Sequence, residues 1–128
     1  MSTYHPPYKH LDRAAEHIRT FNHLSQSPDG RNWQYPGDAY DALGNLSYLA
    51  GMLAQAIEQA TRPVQWTVER GQFRMDGGVD AEQALSGLQH ARNVAVHTAA
   101  RLAEAIGHLH NATSPMGATI TDDEEVSS

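Results

Sequence analysis

The stretch "DAEQALSGLQHARNVAVHTAARLAEAIGHLH", residues 80–110, decides the fold. Its apolar positions recur at alternating steps of three and four over four heptads, which predicts one face of a long helix. Asp80 and Gln83 form a pair typical of a capping box, so the helix should begin there. It should run to about His110 or Asn111, which gives about 30 residues and a length of about 45 Å. The predicted inner face consists of Leu85, Leu88, Arg92, Ala95, Ala99, Leu102, Ile106 and Leu109.

Two more helices are predicted ahead of this one. The segment "HLDRAAEHIRTFNHL", residues 10–24, has helical apolar spacing and should end near Gln26, which makes a helix of about 18 residues and about 27 Å. The segment "AYDALGNLSYLAGMLAQAIEQA", residues 39–60, follows Asp38, a suitable N-cap. Residues 64–76 fit either a helix that continues to about Arg70 or a short strand. The helix is favoured because an isolated hairpin is marginally stable.

These elements predict an all-α fold, an antiparallel three-helix bundle over residues 1–111 with a long C-terminal helix. Residues 112–128 are small, polar and acidic, and predict a flexible, disordered tail. The first helix is too short to cover the whole groove between the other two. Six side chains are predicted to be buried in the core: Leu46, Leu53, Ile57, Leu88, Leu102 and Ile106.

Composition narrows the class of function. The chain has 128 residues, enough for one domain, and a formal net charge of −6 with nine scattered basic residues, which disfavours direct nucleic-acid binding. No apolar run is long enough to span a membrane and the N-terminus lacks a signal-peptide pattern, so we expect a cytoplasmic protein. The absence of cysteine excludes thiol catalysis and thiolate metal sites. No GxSxG or phosphate-loop motif occurs, so no enzymatic activity and no cofactor are expected.

Two glycines inside the second helix indicate an interface. Gly44 and Gly51 lie seven residues apart on a stripe of small residues with Ser47 and Ala54. Each glycine weakens a helix by about 1 kcal/mol relative to alanine, so we expect a compensating close contact. Tight packing on another helix is the favoured interpretation, and a groove for a partner helix is the alternative.

Aromatic residues and one arginine complete the set of interface candidates. Trp33, Tyr35 and Tyr40 lie close together in or beside the first loop, where they could close one end of the bundle or contact a partner, and Trp66 could help to cover the groove. Arg92 lies in the apolar face of the third helix, where a guanidinium needs a carboxylate or several carbonyl groups. The helical acids available are Asp12, Glu16 and Glu58.

Histidine is the enriched reactive residue, with eight in the chain. His10 and His17 are seven residues apart, as are His90 and His97, and this spacing is too long for one ion to be shared within a helix. A metal or small-ligand site assembled between helices is the alternative function. Otherwise His10 and His17 should be half-buried, and His90, His97 and His108 should face solvent.

The segments "PPYKHLDRAAEHIRTFNH" (6–23), "YPGDAYDALGNLSYLAGMLAQAIEQ" (35–59) and "HNATSPMG" (110–117) resemble small helical proteins of high-GC actinobacteria. The resemblance extends over most of residues 5–117 and implies no particular activity. The residues themselves favour a non-enzymatic interaction or accessory protein. A homodimer, or a complex with another protein, is the expected assembly, centred on the 63–66 end of the second helix and the 85–92 start of the third.

Overall fold

The computed structural model describes residues 4–26, 36–71 and 80–127. Three α-helices account for most of them: α1, Tyr8–Ser25; α2, Pro36–Glu69; and α3, Ala81–Ser127. None of the described residues lies in a β-strand. The predicted all-α class, the three helices and the long C-terminal helix are therefore confirmed.

The helix starts follow from local chemistry. The Asp80 carboxylate accepts a hydrogen bond from the Glu82 backbone N–H at 3.0 Å, which confirms the predicted cap of α3. Helix α2 begins at Pro36, three residues earlier than expected, so Asp38 lies in its first turn and is not the cap. Proline has the backbone angle of a first helical residue, and a carboxylate in the first turn interacts favourably with the helix dipole.

The ambiguous segment after Pro63 is helical. Helix α2 continues through this proline to Glu69, and the Thr67 hydroxyl donates to the Pro63 carbonyl at 2.7 Å. Gly71 then has a φ of 67°, and its N–H donates to the Val68 carbonyl at 3.0 Å. A glycine in this left-handed conformation ends a helix at little steric cost. The preferred helical interpretation is thus confirmed as far as Glu69, and residues 72–76 lie outside the described ranges.

Helix α3 extends further than the composition predicts. Its backbone is helical to Ser127 and passes through Pro115, whereas residues 112–128 were expected to form a flexible tail. Extending an existing helix fixes only one residue for each added hydrogen bond, so a long helix continues more readily than a new one starts. The Thr113 hydroxyl also bonds back to the His110 carbonyl at 2.7 Å. The division into a domain of residues 1–111 and a tail remains a prediction.

Helices α2 and α3 pack along each other in antiparallel directions. Gly44, near the start of α2, lies beside His110 of α3, and further along Gln65 is hydrogen-bonded to Arg92. Among the described helices, α2 and α3 are the pair whose Cα atoms approach within 8 Å. Helix α1 lies farther from both, so the central unit of the fold is a helical hairpin.

The core of this hairpin is small. Among the described residues only Ala50 and Ala99 are buried, with exposed fractions of 2% and 7%. The prediction that six large side chains are buried is wrong. Leu102 is 48% exposed, and five are half-buried: Leu46, Leu53, Ile57, Leu88 and Ile106. Two helices can bury only the seam between them, and α1 lies opposite only residues 42–49 of α2, so the rest of the apolar surface stays open.

We call the packed line between α2 and α3 that contains Ala50 and Ala99 the alanine seam. A larger side chain should destabilise the fold at this seam but not at an exposed alanine of the same helix. Ala99→Leu should lower the free energy of unfolding by about 1–3 kcal/mol, because the new side chain overpacks the contact with α2. Ala100→Leu is the matched control: Ala100 is exposed on the same helix, and surface changes usually stay within about 0.5 kcal/mol. Urea unfolding followed by circular dichroism measures both. Equal effects would show that Ala99 is not at a tight contact.

Candidate interaction surface

An open apolar groove runs along one side of the α2–α3 hairpin. Its lining is almost entirely apolar, and two of its large side chains, Val94 and Leu102, are 53% and 48% exposed. Contiguous apolar surface of this kind typically marks a site of interaction. Helix α2 contributes Leu53 and Ile57, and α3 contributes His90, Ala91, Val94, Ala95, Thr98, Ala99 and Leu102.

The groove exists because α3 has a wider apolar arc than α2 can cover. Leu102 and Leu109 were assigned to the face that packs on α2, but they are 48% and 53% exposed. With Val94 and Thr98 they form a second apolar stripe beside the seam, since residues three or four apart share a helix face. Glu104 and His108 lie on the remaining face, where the His108 Nε2 is 3.8 Å from the Glu104 Oε1.

Helix α1 covers another part of the same apolar side of α2. Ile18 and Phe21 of α1 line a smaller pocket opposite Leu46 and Leu49 of α2. Leu53 lies seven residues beyond Leu46, on the same face of α2. The short first helix therefore covers the beginning of this face, and the open groove starts where α1 no longer reaches.

The two glycines of α2 have different surroundings. A Cβ atom added at Gly44 would lie 3.0 Å from the Nε2 atom of His110, whose ring stacks on Tyr40 with centroids 4.3 Å apart. Gly44 thus permits the close approach of a ring. A Cβ at Gly51 would meet no described heavy atom within 4 Å, so the prediction of tight packing within the chain is wrong there.

These surroundings predict unequal effects of the same substitution. Gly51→Ala should raise the free energy of unfolding by up to about 1 kcal/mol, because alanine favours the helix and the added methyl group meets open space. Gly44→Ala should gain less or nothing, because the stacked His110 ring would have to shift to admit the methyl group. Denaturant titration of both variants tests the pair. A similar gain at both positions would contradict the contact between Gly44 and His110.

Arg92 is bound by an amide and not by a carboxylate. Its Nη1 donates to the Gln65 Oε1 at 2.8 Å, and the Gln65 Nε2 donates in turn to the Glu69 Oε1 at 3.1 Å. The Gln65 side chain thus links the guanidinium to an acid that is too distant to bind it directly. Asp12, Glu16 and Glu58 were the expected partners. Glu58 does line the same polar pocket, with Arg62, Trp66 and Asn93.

Substitution of Gln65 interrupts the hydrogen bonds that join Arg92 to Glu69. Gln65→Leu should cost about 1–2 kcal/mol of unfolding free energy, because the half-buried guanidinium loses its acceptor. Gln59→Leu, at an exposed position of the same helix, is the control and should change stability by less than about 0.5 kcal/mol. Chemical denaturation compares the two. If Gln65→Leu behaves like the control, the Arg92 hydrogen bond contributes nothing to stability.

The remaining candidate residues do not form a common site. Trp66 is 50% exposed beside the Arg92 pocket, and Trp33 and Tyr35 lie outside the described ranges. His10 and His17 are exposed on α1, so the prediction that they are half-buried is wrong. His17 lines the open pocket between α1 and α2 beside Ile18 and Phe21.

Three histidines of α3 have the predicted exposure. His90, His97 and His108 are all exposed on that helix. Within the described ranges, no group of three or more histidine, aspartate or glutamate side chains is arranged to hold a metal ion.

Comparisons with known proteins add no relative. No family model, curated protein or solved structure matches the chain. Over the described residues, the helices contain no apolar segment long enough to cross a membrane.

Proposed function

We propose that this protein is a non-enzymatic helical interaction protein of the cytoplasm that associates with a second copy of itself. The observation that carries the proposal is the open apolar groove between α2 and α3. Val94 and Leu102 leave about half of their surface in water there, and Ala95 and Ala99 also line the groove. A groove between two helices that pack side by side, lined by their apolar side chains, has the shape that receives a third helix.

The exposure of large apolar side chains among the described residues supports an additional partner. Val94, Leu102 and Leu109 of α3 are 53%, 48% and 53% exposed. Such surface can contribute to a standard protein–protein interface, which removes about 800 Å² from each partner.

The proposed contact lies somewhat away from the expected centre. The sequence favoured residues 63–66 of α2 and residues 85–92 of α3. The described groove is instead lined from Leu53 to Ile57 and from His90 to Leu102. The shift follows from helix α1, which covers α2 only as far as Leu49 and leaves the middle of the hairpin open.

Self-association has a direct test with a matched control. Light scattering at micromolar concentration should give twice the 14.0 kDa mass of one chain. Ala105→Glu should weaken the dimer at least about tenfold, because it places a carboxylate beside the apolar stripe of α3 where it would be desolvated. Ala100→Glu introduces the same charge at another exposed alanine of α3, off the stripe, and should leave the mass unchanged.

A monomer mass for the unmodified chain over this range would overturn the proposal of self-association. A stable complex with a different protein would then be the remaining form of an interaction function. If both glutamate variants lose the dimer equally, the contact does not depend on the stripe.

The alternative function, a metal or small ligand held by histidines of different helices, has its own test. Elemental analysis of the purified protein would detect a bound transition metal in stoichiometric amount. Such a result would replace the interaction proposal with a binding function for His10, His17, His90 and His97.

A further inference from the structure

A polar pocket of about 320 Å³ lies between α2 and α3, in the part of the hairpin where Gln65 is hydrogen-bonded to Arg92. We call it the arginine pocket. It shares no lining residue with the apolar groove, so a ligand there would not occupy the surface of the proposed self-association. Helix α2 contributes Glu58, Arg62, Gln65 and Trp66 to its lining, and α3 contributes Arg92 and Asn93.

The two arginines of the pocket have most of their hydrogen-bond donors available. A guanidinium has five N–H donors, and Arg92 uses one of them in its bond to Gln65. Arg62 forms no hydrogen bond or ion pair with any residue in the described ranges. Glu58 is the carboxylate of the lining, and within the same ranges it forms no ion pair with either arginine. An anion in the pocket would therefore meet two guanidiniums that no described carboxylate neutralises by direct contact.

An indole ring beside these arginines is half in water. Trp66 is 50% exposed, and within the described ranges its ring makes no stacking contact or hydrogen bond. An indole in this position offers a large flat apolar face and an N–H donor. The flat ring of a ligand can stack there while a charged group of the same ligand reaches the arginines.

The charge of the lining distinguishes between classes of anion. Two arginines and one glutamate leave an excess of one formal positive charge. A carboxylate ligand would neutralise this excess, whereas a phosphate monoester carries about −1.5 to −2 at pH 7 and would exceed it. The planar fork of a guanidinium also matches the two oxygens of a carboxylate. The charge balance therefore favours a carboxylate.

We propose that the arginine pocket binds a small aromatic carboxylate. The carboxylate accepts hydrogen bonds from Arg62 and Arg92, which belong to different helices, and the ring packs on Trp66. Gln65 is a positioning residue: its Oε1 accepts from Arg92 at 2.8 Å and its Nε2 donates to Glu69 at 3.1 Å. These bonds hold the half-buried Arg92 guanidinium in place before a ligand arrives, and such preorganisation lowers the cost of binding.

Isothermal titration calorimetry with naphthoate tests the site, since this probe joins a carboxylate to a flat ring. It should bind in a one-to-one ratio to the chain with a dissociation constant of about 1 mM or lower. Naphthalenemethanol keeps the ring without the charge, and acetate keeps the charge without the ring, so each should bind at least about tenfold more weakly. Naphthyl phosphate should bind no more tightly than naphthoate, because its charge exceeds that of the pocket.

Substitutions at exposed positions identify the groups that hold the probe. Arg62→Gln should weaken naphthoate binding at least about tenfold, since it removes one of the two guanidiniums. Trp66→Leu should weaken it at least about threefold through the loss of ring stacking. Arg101→Gln is the matched control: it removes the same charge from an exposed residue of α3 that does not line the pocket, and should change the affinity by less than about twofold.

Circular dichroism of each variant shows whether its helices are kept. Equal losses of naphthoate binding in Arg62→Gln and Arg101→Gln would overturn the site, as would equal affinity for naphthalenemethanol. Tighter binding of naphthyl phosphate would overturn the assignment to a carboxylate. Absence of naphthoate binding to the unmodified chain would overturn the proposal and leave self-association standing, since the two use different residues.

Discussion

The alanine seam between α2 and α3 is the contact on which the rest of the structure depends. Ala50 and Ala99 let the two helix backbones approach closely, and they are the buried residues of the described chain. A seam of methyl groups buries little apolar area. Since each Å² removed from water contributes only about 25 cal/mol, the seam alone stabilises the hairpin little. The leucines on either side stay half-exposed, and this is why the hairpin has an open groove.

Local patterns in the sequence predicted the helices well. The alternating three and four spacing of residues 80–110 and the carboxylate of Asp80 depend only on neighbouring residues, and both correspond to the observed α3 and its cap. Gly71 likewise ends α2 because its conformation is a local requirement. The length difference between α1 and α3 also indicated correctly that part of the groove would stay uncovered.

These patterns could not predict which residues of one helix contact which residues of another. Leu102 and Leu109 fit the spacing of the inner face, but α3 has two overlapping apolar stripes, and spacing alone does not say which one meets α2. Gly44 and Gly51 look equivalent in sequence, and only the antiparallel register gives one of them a histidine ring and the other open space. The link from Arg92 through Gln65 to Glu69 required the same register, because it joins residues of two helices.

The central claim is that the hairpin reaches its full stability only when a second chain covers the groove. The most direct test is the thermal midpoint of unfolding, measured by circular dichroism over a hundredfold range of protein concentration. If folding is coupled to dimer formation, mass action adds about 2.7 kcal/mol per dimer over this range, and the midpoint should rise by about 5 °C. A midpoint independent of concentration would contradict the claim and show that one chain is stable with its groove open to water.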